Sequence, residues 1–136
     1  MPKTKKENFT YAVGRRKSAA ARVRIFKGTG ETQVNGIPIA EYFPGEVSKS
    51  VWQKPFELTQ TWGKYYATVK AVGGGKGGQV EAVANALAKA LVLINRQDYK
   101  SPLKKAGLLT RDARERQRRM VGTGGKARRA KQSPKR

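Results

Sequence analysis

The chain contains no cysteine and no histidine, and it is poor in acidic residues. Each shortage removes a class of protein. Without Cys there are no disulfides and no thiolate metal sites, and nothing implies an oxidising compartment. Without His, the commonest general base and the commonest metal ligand are missing. Nine carboxylates remain among 136 residues: Glu7, Glu31, Glu41, Glu46, Glu57, Glu81, Asp98, Asp112 and Glu115. No two within the core sit close in sequence, so there is no local acid pair or metal cluster. The expectation is a protein that is not an enzyme and uses neither cofactor nor metal. No apolar run approaches the roughly 18 residues of a membrane span. The opening MPKTKKENFTY has no apolar stretch, so no secretory signal is expected. The last fifteen residues, GTGGKARRAKQSPKR, have neither an acidic nor an aromatic side chain.

What is present is positive charge. Thirty Lys and Arg give a net charge of +21. Residues 1–100 hold 17 of them against seven acids, and residues 101–136 hold 13 against two. A quarter of the chain therefore carries half of the excess. Such asymmetry points to a polyanionic partner, nucleic acid or an anionic membrane surface.

Hydrophobic periodicity outlines a single small domain. Residues 21–27, ARVRIFK, alternate, with Val23 and Ile25 opposite Arg22 and Arg24, as in a half-buried strand. QVNGI, residues 33–37, predicts a short strand interrupted by an Asn-Gly turn, and Pro38 argues against a central strand position after it. Phe43, Val47 and Val51 predict a short helix broken near Pro55. Residues 65–72, YYATVKAV, alternate again. Residues 79–95 predict the main helix, with an apolar stripe of Val80, Val83, Ala84, Leu87, Leu91 and Ile94 and a polar stripe of Glu81, Asn85 and Lys89. Pro102 is expected to open a further short helix that Gly107 ends. The fold class is α+β, a small sheet with packed helices. The division is a basic arm at 1–8, a globular domain at 9–109 and an extended basic tail at 110–136.

Four features bear on function. GGGKGG at 73–78 matches GxGxxG between a strand and a helix, but the helix leads into RQDYKSPLKK rather than a second parallel strand. A dinucleotide fold is therefore rejected, and Lys76 followed by Gly excludes a Walker loop. Free N–H groups at a helix start, with Lys76 among glycines, still suit a phosphate; the alternative is a plain glycine turn. Arg15, Arg16 and Lys17, followed by Arg22 and Arg24, repel one another unless an anion intervenes, and Arg forks match phosphate. The competing reading is a solvated basic face. The aromatics Phe43, Trp52, Phe56, Trp62, Tyr65 and Tyr66 read as core rather than as base-stacking groups, because they fall at helix and strand spacings. Asp112 and Glu115 are expected to pair with neighbouring Arg at i, i+3 or i+4 on a nascent helix.

GRRKSAAARVRIFKGTG, then VNG, EYF, AVGGGKGGQVEAVANALAKAL and LKKAGLLTRDARERQRRMVGTGGKARRAKQSPKR together resemble the family of the ninth small-subunit ribosomal protein, over about residues 9–136. The resemblance implies a left-handed βαβ crossover, as in the second domain of the fifth small-subunit ribosomal protein. It implies a place in the head of the small subunit, on ribosomal RNA beside other head proteins. It also implies a tail that runs through RNA to the peptidyl site, where its last residues touch transfer RNA. Two departures from the family pattern stand out. The ending QSPKR has Pro134 and no aromatic, and the helix after GQ, where the family often has a Gly-Ile and an Arg, reads VANALAKAL with Lys89 as the nearby charge, so that Arg is not carried over.

The expected ribosomal RNA contacts are Arg15, Arg16, Lys17, Arg22, Arg24, Lys76, Lys104, Lys105, Arg111, Arg114, Arg116, Arg118, Arg119, Lys126, Arg128 and Arg129. Lys135 and Arg136 are expected to contact peptidyl-site transfer RNA. No small-molecule substrate and no membrane are expected, and the setting is the ribosome of the cytoplasm or of an organelle. The competing classes are a free nucleic-acid binder, such as a chromosome-coating protein or RNA chaperone, and an enzyme or enzyme subunit of related fold.

Overall fold

The alternation in residues 21–27 belongs to a longer strand with an unanticipated partner. In the computed structural model, which describes residues 9–117, β1 (Phe9–Arg16) and β2 (Ala19–Lys27) form an antiparallel hairpin running from Phe9↔Phe26 to Arg16↔Ala19. Its two-residue turn is Lys17-Ser18, with Lys17 at a left-handed φ of 54°. β1 escapes a search for apolar residues pointing inward because its alternation is inverted. Phe9 and Tyr11 are exposed, whereas Ala12 and Gly14 are buried.

The Asn-Gly turn joins β3 (Gln33–Val34) to β4 (Ile37–Pro38). Asn35 and Gly36 both have positive φ, 52° and 81°, as a type I′ hairpin turn requires. β5 (Tyr65–Val72) pairs antiparallel with β2 and parallel with β3. The order is β1-β2-β5-β3-β4, which leaves Pro38 on an edge strand where its missing N–H costs no ladder bond. The parallel pair is connected through β4, α1 (Ile39–Tyr42) and α2 (Glu46–Thr59). With α3 (Lys76–Ile94) and α4 (Arg96–Lys105), the domain is α+β: a mixed five-stranded sheet and four helices.

Three helices differ from the sequence expectation. α2 does not break at Pro55. It buries Trp52, Pro55 and Phe56 against the core, and that packing carries the helix through the proline. Val47, read as part of the apolar stripe, is 80% exposed. α3 is less amphipathic than expected: residues 82–88 are all buried, Asn85 included, because the sheet, α2 and α4 pack around it. Its length and apolarity would suit a membrane span, but most of it is buried inside the domain. α4 starts at Arg96, not Pro102. Asn95 caps it by accepting a hydrogen bond from the Asp98 N–H at 3.2 Å, which makes Asp98 a first-turn residue. Gly107, at φ 76°, follows its end.

The core is a layer of small residues. Ala12, Gly14, Ala19, Ala21, Ala67 and Ala71 line the helix side of the sheet, with Val23, Ile25 and Val69 between them. α3 presses on β1 so closely that a Cβ at Gly14 would lie 2.1 Å from the Ala82 carbonyl oxygen and 2.5 Å from the Ala86 nitrogen. Lys89 secures the same edge by donating to the Val13 carbonyl at 3.4 Å. Gly14→Ala must push helix backbone away from strand backbone, so it should cost about 3 kcal/mol, read as a lowered urea midpoint of the full chain. An unchanged midpoint would show that the contact is slack.

Candidate nucleic-acid interface

Because α3 covers one face of the sheet, the alternate residues of β1, β2 and β5 project from the other. Cross-strand register sorts them into rows. Phe9, Phe26 and Tyr66 make an aromatic row at one end, with ring centroids 5.9 Å and 5.3 Å apart. Tyr11, Arg24 and Thr68 come next, then Val13, Arg22 and Lys70. The Arg24 guanidinium lies 5.1 Å from the centre of the Phe9 ring. Tyr11, Arg22, Arg24, Thr68 and Lys70 line a shallow depression here, and no carboxylate lines it. Arg22 and Arg24 thus sit where the alternation placed them. Lys70 joins them; its place in the same alternating run was the signal for it.

The β1–β2 turn and the glycine loop, two separate motifs in sequence, meet at the far end of the sheet. A Cβ on Gly73 would lie 2.5 Å from the Ser18 carbonyl oxygen, and Gly73 and Gly74 have φ of 76° and 57°. Only glycine meets both demands without strain. Arg15, Lys17 and Lys76 are therefore exposed at one end of the molecule. α3 begins at Lys76, three residues earlier than its stripe suggested, with no side-chain cap and no acid in its first turn. The Lys76 ammonium lies 5.2 Å from the centre of the Tyr42 ring.

A chain of hydrogen bonds fixes the loop. The Asn35 side chain acts like a strand residue toward Ala71, donating to its carbonyl at 3.0 Å and accepting from its N–H at 3.1 Å. Tyr42 donates to Gln79 Oε1 at 2.7 Å, and Gln79 Nε2 donates to the Gly73 carbonyl at 3.0 Å. Asn35, Tyr42 and Gln79 belong to the VNG, EYF and GGQ stretches, which look unrelated in sequence and converge in space. Their role as loop supports had no signal in periodicity or charge.

Arg16 differs from its neighbours. Its side chain is only 14% exposed and pairs with Glu81 and, at 3.2 Å, with Asp112. It also donates to the Arg114 carbonyl at 3.1 Å. Beyond Lys105 the chain crosses α3, where Asn85 Nδ2 donates to the Leu108 carbonyl at 2.7 Å. That crossing buries an asparagine that the periodicity assigned to a solvent face. The start of the tail is thereby tied down beside Arg15 and Arg16.

Residues 111–117 form no helix, and Asp112 pairs with Arg114 at i+2. The Arg114 N–H and guanidinium both bond to Asp112, so the side chain itself closes a turn that competes with helix. Hydrogen bonds from Arg114, with the charges of Arg114 and Arg16, hold the Asp112 carboxyl well below the usual carboxylate range. Lys104 and Lys105 are exposed in the last turn of α4, and Arg111, Arg114 and Arg116 are exposed along the tail. Arg118, Arg119, Lys126, Arg128, Arg129, Lys135 and Arg136 lie outside the described residues.

These features define a class: a small α+β domain, covered by helices on one sheet face, cationic on the other, with a basic tail rooted at its most basic end. The family model of ribosomal protein S9/S16 matches residues 14–136. Among curated proteins, the chain is similar to the small ribosomal subunit protein uS9 of Maridesulfovibrio salexigens, 46% identical over 119 residues, covering 88% of this chain and 91% of that protein. It is 42% identical, with the same coverage, to the uS9 of Solidesulfovibrio magneticus, and 45% identical over 125 residues to that of Leifsonia xyli subsp. xyli, covering 92% of this chain and 74% of that protein. The chain belongs to the ribosomal protein S9/S16 family and is a structural component of the small ribosomal subunit.

Asp112→Asn should release residues 110–117 from the domain, seen as faster amide exchange at Arg114 with little change in α3. Because the folded-state pKa of Asp112 is depressed, the latch is fully present above the ordinary value of about 3.9. It is lost only as pH falls through the lower folded-state value. Protection at Arg114 should therefore survive to pH 4. Loss of protection between pH 6 and 5 would contradict the pairing.

Proposed function

We propose that the open sheet face and the end carrying the β1–β2 turn bind small-subunit ribosomal RNA, and that the tail carries this contact on to peptidyl-site transfer RNA. The observation that supports the reading best is the spatial gathering of cations. Arg22, Arg24 and Lys70 share one face, and Arg15, Lys17 and Lys76 share one end, although they come from three parts of the sequence. Uncompensated charge of this density weakens a compact domain by self-repulsion, and bound phosphates remove that cost.

In this reading Arg15, Lys17, Arg22, Arg24, Lys76, Lys104 and Lys105 hold phosphates. Arg16 acts chiefly through Asp112, orienting the root of the tail. Arg111, Arg114, Arg116, Arg118, Arg119, Lys126, Arg128 and Arg129 pass between RNA segments, ordered as their charges are neutralised. Lys135 and Arg136 contact the transfer RNA backbone. Fifteen extended residues reach roughly 50 Å. Phosphate contacts suit a site that accepts every transfer RNA, since they position without reading sequence. The glycine loop then acts as a phosphate seat at the start of α3 rather than as a nucleotide-hydrolysing motif. The protein works as a scaffold, not an enzyme, in the cytoplasmic ribosome.

Two experiments test this. Removing Arg22 and Arg24 together by Ala should lower the slope of log affinity against log salt for small-subunit head RNA by about 1–2, while Lys49→Ala should leave it unchanged. Equal slopes for all variants would move the RNA contact elsewhere. Deleting residues 133–136 should leave subunit assembly intact and weaken transfer RNA binding at the peptidyl site; unaltered binding would remove the tail from that role.

A further inference from the structure

The domain has a second surface with different chemistry. No arginine lies between Arg24 and Arg96, and residues 28–63 carry Glu31, Glu41, Glu46 and Glu57 against only Lys49 and Lys54. In a chain of net charge +21, this segment has an acidic excess. It folds as the β3–β4 hairpin, α1 and α2. A pocket of about 300 Å³ opens there, lined among others by Glu31, Ile39, Trp52, Phe56, Trp62 and Tyr65. Trp52 is only 4% exposed, yet its indole Nε1–H has no acceptor among the described residues. Trp62 is 58% exposed, with its ring 6.0 Å from that of Trp52 and 5.8 Å from that of Phe56. A large aromatic left open at the mouth of a mostly apolar pocket, with one carboxylate in the lining, suits a partner that brings an apolar side chain and a cation.

We propose that this pocket docks a basic segment of a second small-subunit protein. That segment lays an apolar side chain against the exposed Trp62 ring at the pocket mouth and sets a Lys or Arg against Glu31. RNA is the disfavoured occupant, because its phosphates would meet Glu31 and find no arginine fork. The inference rests on membership of the small subunit and not on the RNA contacts proposed above.

The test uses the full chain with photoreactive p-benzoylphenylalanine in place of Trp62. Its incorporation into small subunits is verified by co-sedimentation, and the subunits are then irradiated. The expected product is a crosslink to another subunit protein, within a peptide rich in Lys and Arg. Its yield should fall about tenfold when Glu31→Lys sets like charges together, with Glu31→Gln intermediate. A crosslink to RNA, a crosslink within this chain to residues 1–8, or no protein crosslink from incorporated subunits would each overturn the proposal.

Discussion

The arrangement depends on how closely α3 approaches the β1–β2 hairpin. That approach is possible because both sides of the contact are small: Gly14, flanked on the sheet by Ala12, Ala19 and Ala21, meets Ala82 and Ala86. Thin packing of this kind buries backbone against backbone, and it leaves little room for large side chains on the helix side of β1. Phe9 and Tyr11 therefore stand on the opposite face, beside Arg24 and on the same side of the sheet as Arg22 and Lys70. The constraint that builds the core also creates an open face that is both cationic and aromatic.

The same geometry explains why the basic residues gather at one end. The β1–β2 turn and the loop before α3 are forced together because α3 starts where β1 ends, and the close contacts of Gly73 and Gly74 with Ser18 and Ala19 lock them. Asn35, Tyr42 and Gln79 then brace the loop from the parallel side of the sheet. Arg16, the one cation of the turn that is mostly buried, ties the root of the tail to this end through Asp112 and the Arg114 carbonyl. Fold and tail share a single exit point.

Much of this was legible in the residues. The alternation of Val23 and Ile25 against Arg22 and Arg24, the Asn-Gly turn and the run 65–72 were read correctly because each is a local pattern with a single structural solution. What could not be read depended on partners distant in sequence. β1 carries no local signal because its large residues face outward, a choice made by α3. Asn85 was assigned to a solvent face because nothing local announces that residues 106–109 fold over it. Arg16 looked like its neighbours until Glu81 and Asp112, 65 and 96 positions away, came beside it. The start of α4 differs for a smaller reason: Asn95 and Asp98 form a capping pair ahead of Pro102, the residue that on its own marks a helix start.

Charge is divided as the packing is. Cations occupy the open sheet face, the turn and the tail, whereas the α1–α2 segment is slightly acidic and carries the Trp62 pocket. The domain thus has two dissimilar exteriors, one suited to a polyanion and one to a protein. The most direct measurement is a density map of the assembled small subunit at side-chain resolution. Phosphates of ribosomal RNA should lie against Arg22, Arg24 and Lys70 and beside Arg15, Lys17 and Lys76, with protein rather than RNA over Trp62. An open sheet face exposed to solvent, with RNA packed on α2 instead, would contradict the division.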